Sequence, residues 1–192
     1  MLGLKTPTND AWIAVAAQNL DQILIDHAHC EKKAAANGMA MIARYPDRDI
    51  LVRAMIELIK EETEHFEFIY EEIRRRDLTL TRDRGDRYVQ ELSKHINKNE
   101  PLRMLDFLLT AALIEARSCE RFSLLSKCED VPADLRKLYH DLMASEAGHY
   151  RAFTDIAREF FPKEQVKARL EELLDIEAEI VRELPNEATM HG

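Results

Sequence analysis

Two copies of one short pattern, set a fixed distance apart, constrain this chain more than any other feature. Glu62-Thr63-Glu64-His65 and Glu146-Ala147-Gly148-His149 each place a Glu three residues before a His. On a helix, residues three apart share a face about one turn along, so each pair aims a carboxylate and an imidazole at one spot. Glu31 precedes Glu62 by 31 residues, and Glu115 precedes Glu146 by the same 31. A single offset of 84 therefore carries Glu31, Glu62 and His65 onto Glu115, Glu146 and His149. The same offset carries Phe66 onto Tyr150, Lys33 onto Arg117 and Leu58 onto Leu142. The chain reads as two helix hairpins related by a pseudo-twofold, each delivering Glu, Glu and His to the middle of a bundle.

The remaining sequence suits such a bundle and excludes most alternatives. At 192 residues with no linker-like stretch, it reads as one domain over residues 1–192. It has five glycines where average usage gives roughly 13, which argues against a turn-dense β-sandwich or barrel. Those glycines are too widely scattered for a phosphate-cradling loop or a dinucleotide fingerprint. Cys30, Cys119 and Cys128 form no C-x-x-C pair, which removes zinc ribbons and dithiol redox motifs and suggests free thiols in a reducing cytoplasm. No apolar run approaches the roughly 18 residues of a membrane span, and the N-terminus lacks the features of an export signal.

Helical periodicity runs from end to end. A short helix from Asn9 or Asp10 to Leu20 precedes long ones over Asp21–Arg44 and Asp47–Asp77. The stretch from Leu78 to Gly85 is not helical. A shorter helix over Asp86–Ile96 follows, then helices opened by Pro101 and Pro132 that end near Lys127 and Phe161. A charged amphipathic helix from Lys163 to Leu184 could pack on its own bundle or on a second subunit. The expected fold is all-α: four long helices, additional short ones and a C-terminal helix.

The neighbours of the repeated Glu and His residues are apolar, so all four carboxylates should be buried. Burying ions without partners costs several kcal/mol each, and like charges in one site drive protonation. Two divalent cations would balance four glutamates with both histidines neutral. Mixed carboxylate and imidazole ligands with open positions suit iron or manganese better than zinc or calcium. One E-x-x-H in a Glu-rich helical chain means little; two, each with an upstream Glu at equal spacing, match the ligand pattern of ferritin-like di-iron carboxylate bundles. Other residues take plainer readings. Glu61, Glu64 and Glu120 read as solvated neighbours, and His27, one turn before Glu31, as a core or surface histidine rather than a support for that ligand. His29, His95, His140 and His191 show no partner pattern. Cys30 and Cys119 read as small packing residues.

The net charge of −9 argues against a generic nucleic-acid binder, but the charge is uneven. Between Arg74 and Arg103 nine basic residues face five acidic ones, leaving the rest of the chain at −13. Arg74, Arg75, Arg76, Arg82, Arg84, Arg87, Lys94, Lys98 and Arg103 therefore form a candidate phosphate-binding set.

The segments HCEKKAAANGMAMIARYP (from His29), EETEHFEF (from Glu61), LLTAALIEARSCERF (from Leu108) and SEAGHYRAF (from Ser145) resemble the tRNA hydroxylases that act on 2-methylthio-N6-isopentenyladenosine beside the anticodon. The resemblance covers essentially the whole chain. It implies a ferritin-like non-haem di-iron monooxygenase that hydroxylates the isopentenyl chain with O2 and electrons from a separate donor. The family's six ligand positions fall on Glu31, Glu62, His65, Glu115, Glu146 and His149, with Glu62 and Glu146 the expected bridges. The tRNA substrate comes from the resemblance alone. An apolar approach along Leu108, Ala111, Ala112 and Phe122 and phosphate contacts from the basic segment are the accompanying expectations. A ferritin- or rubrerythrin-like iron oxidase or peroxidase is the alternative; the missing C-x-x-C module and the basic segment count against it. A non-catalytic helical interaction protein would leave the Glu/His cluster without physical reason.

Overall fold

The computed structural model describes residues 2–191 and contains seven helices and no strand among them. They are α1 (Asp10–Gln18), α2 (Leu20–Arg44), α3 (Asp49–Arg75), α4 (Arg87–Ser93), α5 (Leu102–Lys127), α6 (Ala133–Phe160) and α7 (Lys163–Glu183). The chain divides into two compact units.

One unit comprises residues 19–85 with 188–190, and its frame is the hairpin of α2 on α3. Tyr45-Pro46 ends α2, because the residue before a proline is pushed away from helical conformation. Ile23, Leu24, Ala28 and Met41 of α2 and Leu51, Met55, Leu58, Ile69 and Ile73 of α3 are buried. Gly38 allows a close approach of the two helices: a Cβ there would stand 2.8 Å from Ile59 Cγ1. Beyond α3 the non-helical stretch lies along α2. His29 Nε2 bonds the Thr81 carbonyl at 2.9 Å, and Lys32 and Lys33 each pair with Asp83 at 3.5 Å.

The other unit comprises residues up to 18, residues 86–187 and the last two positions. It is built on the α5–α6 hairpin, with α7 packed on α4, α5 and α6, and α1 on α5. The amphipathic helix over 163–183 thus finds its cover within this unit. Asp86 caps α4 by accepting from the Val89 amide at 3.0 Å.

α5 is buried around its circumference, including Arg117, Glu120 and Arg121. A charged group there persists only if it is paired. Arg117 donates from Nε and Nη2 to Glu177 Oε1 at 2.9 and 2.6 Å, from Nη2 to the Thr6 carbonyl at 2.9 Å, and from Nη1 to Glu120 and to Thr8 Oγ1. The Thr8 hydroxyl donates to Glu120 at 2.7 Å and the Tyr88 hydroxyl to Glu177 at 3.1 Å. Burial pushes the Glu177 carboxyl above its usual range despite Arg117. Burial and then the Glu177 charge push the Tyr88 phenol well up. Burial, reinforced by Arg117, pulls the Arg121 guanidinium down to about 9, and its plane lies 4.4 Å from the Trp12 ring centroid. Glu120 is therefore not the solvated neighbour its sequence context suggests: it is buried and paired with Arg117. His191 is corrected likewise. It is buried, with Nδ1 2.7 Å from Asp86 and Nε2 3.0 Å from the Ser118 hydroxyl, and it stacks on Tyr88.

Candidate metal centre

The candidate ligands are placed by the hairpins. In the 19–85 unit, α2 carries Glu31 and α3 carries Glu62 and His65, all buried. Candidate ligand atoms from the three side chains lie within 4.8 Å of one another. His65 Nδ1 is 3.6 Å from Glu62 Oε2 and 3.9 Å from Glu31 Oε2.

The second hairpin repeats the arrangement. Glu115 on α5 and Glu146 and His149 on α6 are buried, and candidate ligand atoms from them again lie within 4.8 Å of one another. His149 Nδ1 stands 3.7 Å from Glu146 Oε2. Glu146 Oε1 is buried and accepts no hydrogen bond among the described residues. An unsatisfied buried carboxylate oxygen costs several kcal/mol, and a cation removes that cost. Together with the hard oxygen and imidazole donors, this fits a first-row divalent metal such as iron.

Three neighbours complete the picture. His27, which its sequence context assigned to core or surface packing, is buried with its Nε2–H donating to Glu31 Oε1 at 2.5 Å. The clue available in the sequence is the four-residue spacing, which puts His27 and Glu31 on one face. Cys119, one turn beyond Glu115, is buried with Sγ 3.5 Å from the Met143 carbonyl. Burial, then the Glu146 charge, pushes its thiol up, which makes it a poor nucleophile. Leu108, Ala111, Ala112 and Phe122 are all buried, and Phe122 packs on Tyr139 with centroids 5.4 Å apart. Glu61 and Glu64 are exposed, as expected of solvated neighbours.

The basic residues separate by exposure and pairing. Arg75 and Arg76 are tied to Glu72, Lys94 to Glu91 and Arg87 to Glu187, while Arg103 lies over the Phe107 ring. Arg74, Arg82, Arg84 and Lys98 are exposed and make no ion pair among the described residues.

The family profile described as tRNA-(MS[2]IO[6]A)-hydroxylase (MiaE) matches residues 2–192. The chain belongs to this family. A tRNA 2-(methylsulfanyl)-N(6)-isopentenyladenosine(37) hydroxylase of Pseudomonas putida is 34% identical over 98% of this chain and 91% of its own length. A protein of the same description from Salmonella typhimurium is 29% identical over 98% of this chain and 87% of its own. Among solved structures, a Synechococcus protein described as having aldehyde deformylating oxygenase activity shares 38% identity and superposes with a TM-score of 0.93, covering 98% of this chain and 95% of that one. The fold expectation holds: the protein is all-α and of the ferritin-like class. Among the described residues no helix is long and apolar enough to cross a membrane.

Proposed function

We propose that this member of the tRNA hydroxylase family hydroxylates the isopentenyl chain of 2-methylthio-N6-isopentenyladenosine in tRNA, at a centre of two iron ions held by Glu31, Glu62 and His65 and by Glu115, Glu146 and His149. The observation that carries the proposal is the pair of buried Glu, Glu, His clusters in a chain of this family. Four carboxylates offset the four positive charges of two ferrous ions, so neither cluster needs protonation to stay buried. Iron bound there supplies the activation of O2 that an unactivated side chain lacks. The balance is one O2, two electrons from an external donor and two protons; one oxygen enters a substrate C–H bond as C–OH and the other leaves as water.

The protein's own residues orient, shield and hold. The glutamates and histidines fix the ions at two hairpins whose cores are packed. The buried Leu108, Ala112 and Phe122 flank Glu115 along α5 and keep its surroundings dry, which suits an apolar substrate chain. The exposed Arg74, Arg82, Arg84 and Lys98 are the cations best disposed to hold phosphates, since phosphate contacts fix register and orientation.

Nucleoside mass spectrometry tests the activity directly. Iron-loaded protein, a reductant and air should add one oxygen to that nucleoside in tRNA carrying it, and removal of iron by a chelator should abolish the gain. The likeness to the Synechococcus oxygenase makes an aldehyde the second substrate to assay. Loss of formate from the aldehyde with no change in the tRNA would overturn the tRNA reading and leave the metal reading standing.

The tRNA contacts carry their own expectation. Replacing Arg82 and Arg84 together with Ala removes two phosphate contacts. The slope of log affinity against log salt should then fall by about 1.4–1.8. Filter binding across a KCl series reads that slope, and an unchanged value would place the tRNA elsewhere.

A further inference from the structure

The 84-residue repeat is broken beside the candidate ligands, and the break is chemical. The offset of 84 puts Ala111 at the turn equivalent to His27, and Cys119 at the turn equivalent to Ala35. His27 is fully buried, one turn before Glu31, and its Nε2–H donates to Glu31 Oε1 at 2.5 Å. At the matching turn of α5, Ala111 offers a methyl group and no donor.

Resting on the di-iron reading above, we propose that His27 is a positioning residue: by holding Glu31 it tightens the binding of a metal ion by Glu31, Glu62 and His65. The bond engages Oε1, leaving Oε2 on the side of His65, whose Nδ1 is 3.9 Å away. A free glutamate must surrender rotamer freedom when it binds a cation; one already fixed by a buried donor has done so on folding. Outer partners of this kind typically change metal affinity by 10–100-fold. His27 Nε2 is engaged by Glu31, so that nitrogen acts through the carboxylate and not as a further ligand.

The test is an anaerobic titration of the full-length apoprotein with cobalt(II) chloride, followed by visible absorption and calorimetry. The wild type should take up two ions. His27→Phe keeps a ring in the cavity but has no donor, and should weaken the uptake of one ion by about 10–100-fold while leaving the other unchanged. His27→Gln, whose amide can donate to Glu31, should recover most of the loss. Thermal melts of the apoproteins separate positioning from folding: if His27→Phe lowers both steps equally together with apo stability, the role is structural and the proposal is overturned. Two unchanged steps in His27→Phe also overturn it, and the di-iron reading then stands. A wild type that binds no cobalt overturns both.

Discussion

Protein carrying Glu146→Ala is expected to lose hydroxylation of the tRNA nucleoside by well over 100-fold, more than loss of a supporting partner costs, and to lose one equivalent of bound metal. Glu146 Oε1 is a buried acceptor with no donor among the described residues, and Oε2 lies 3.7 Å from His149 Nδ1. Such a group is costly to a fold unless a cation sits on it. The expectation therefore has two parts with opposite signs. Metal-free Glu146→Ala should be at least as stable as the metal-free parent, because a buried carboxylate has been removed. The stabilisation gained on adding metal should shrink, because metal binding to the folded state alone is what raises stability. Nucleoside mass spectrometry, metal analysis and paired melts read all three quantities. An active Glu146→Ala protein with full metal content would remove Glu146 from the ligand set.

The largest effect on stability is expected at Arg117. Its side chain is fully buried between Glu177, Glu120, Thr8 and the Thr6 carbonyl. Arg117→Met leaves two carboxylates buried without their cation, a class of change that costs about 3–5 kcal/mol, readable by urea unfolding at neutral pH. Replacing both members of the pair, Arg117→Met with Glu177→Leu, should recover much of that loss, since an apolar pair of similar volume needs no desolvation. The pH dependence has a definite sign. Burial already holds the Glu177 carboxyl above its ordinary range, and removing Arg117 raises it further. A group whose folded-state pKa is raised contributes stability below its unfolded value of about 4.3, and loses it as pH rises through the folded-state value. The deficit of Arg117→Met should therefore be smaller in acid than at neutrality. An equal deficit at both would mean that packing, not charge, sets the role of Arg117.

The helices and the candidate ligand set were legible because both are local periodic signals. Pro101 and Pro132 mark helix starts one residue before Leu102 and Ala133, and Tyr45-Pro46 marks an end. The six ligands stand out through spacing alone. Glu120 and His191 were illegible for the opposite reason. The partners that explain His191, Asp86 and Ser118, lie 105 and 73 residues away, and although Arg117 stands one turn before Glu120, the Thr8 that completes its burial lies 112 residues away. No periodicity connects such groups. One clue was available: a helix apolar all round that carries Arg117, Glu120 and Arg121 needs buried partners for them. His27 was closer to hand, since it stands one turn from Glu31, but spacing alone does not separate a packed histidine from a supporting one.

Each half of the ligand set is closed by a short stretch of chain, and this matters for how the protein is made. Joining Glu31 to Glu62, or Glu115 to Glu146, closes about 31 residues, for which the length-dependent entropy is only about 3 kcal/mol. Contacts this local form early in folding. During synthesis at roughly 5–20 residues per second, Glu31, Glu62 and His65 are complete some 4–17 s before His149 is added. Ribosome-bound chains thus carry one finished half of the cluster, together with His27, through a window in which the other half does not yet exist. In the di-iron reading proposed above, the residues of the α2–α3 half are thus the first that could meet a metal ion, before the other half exists to compete for it.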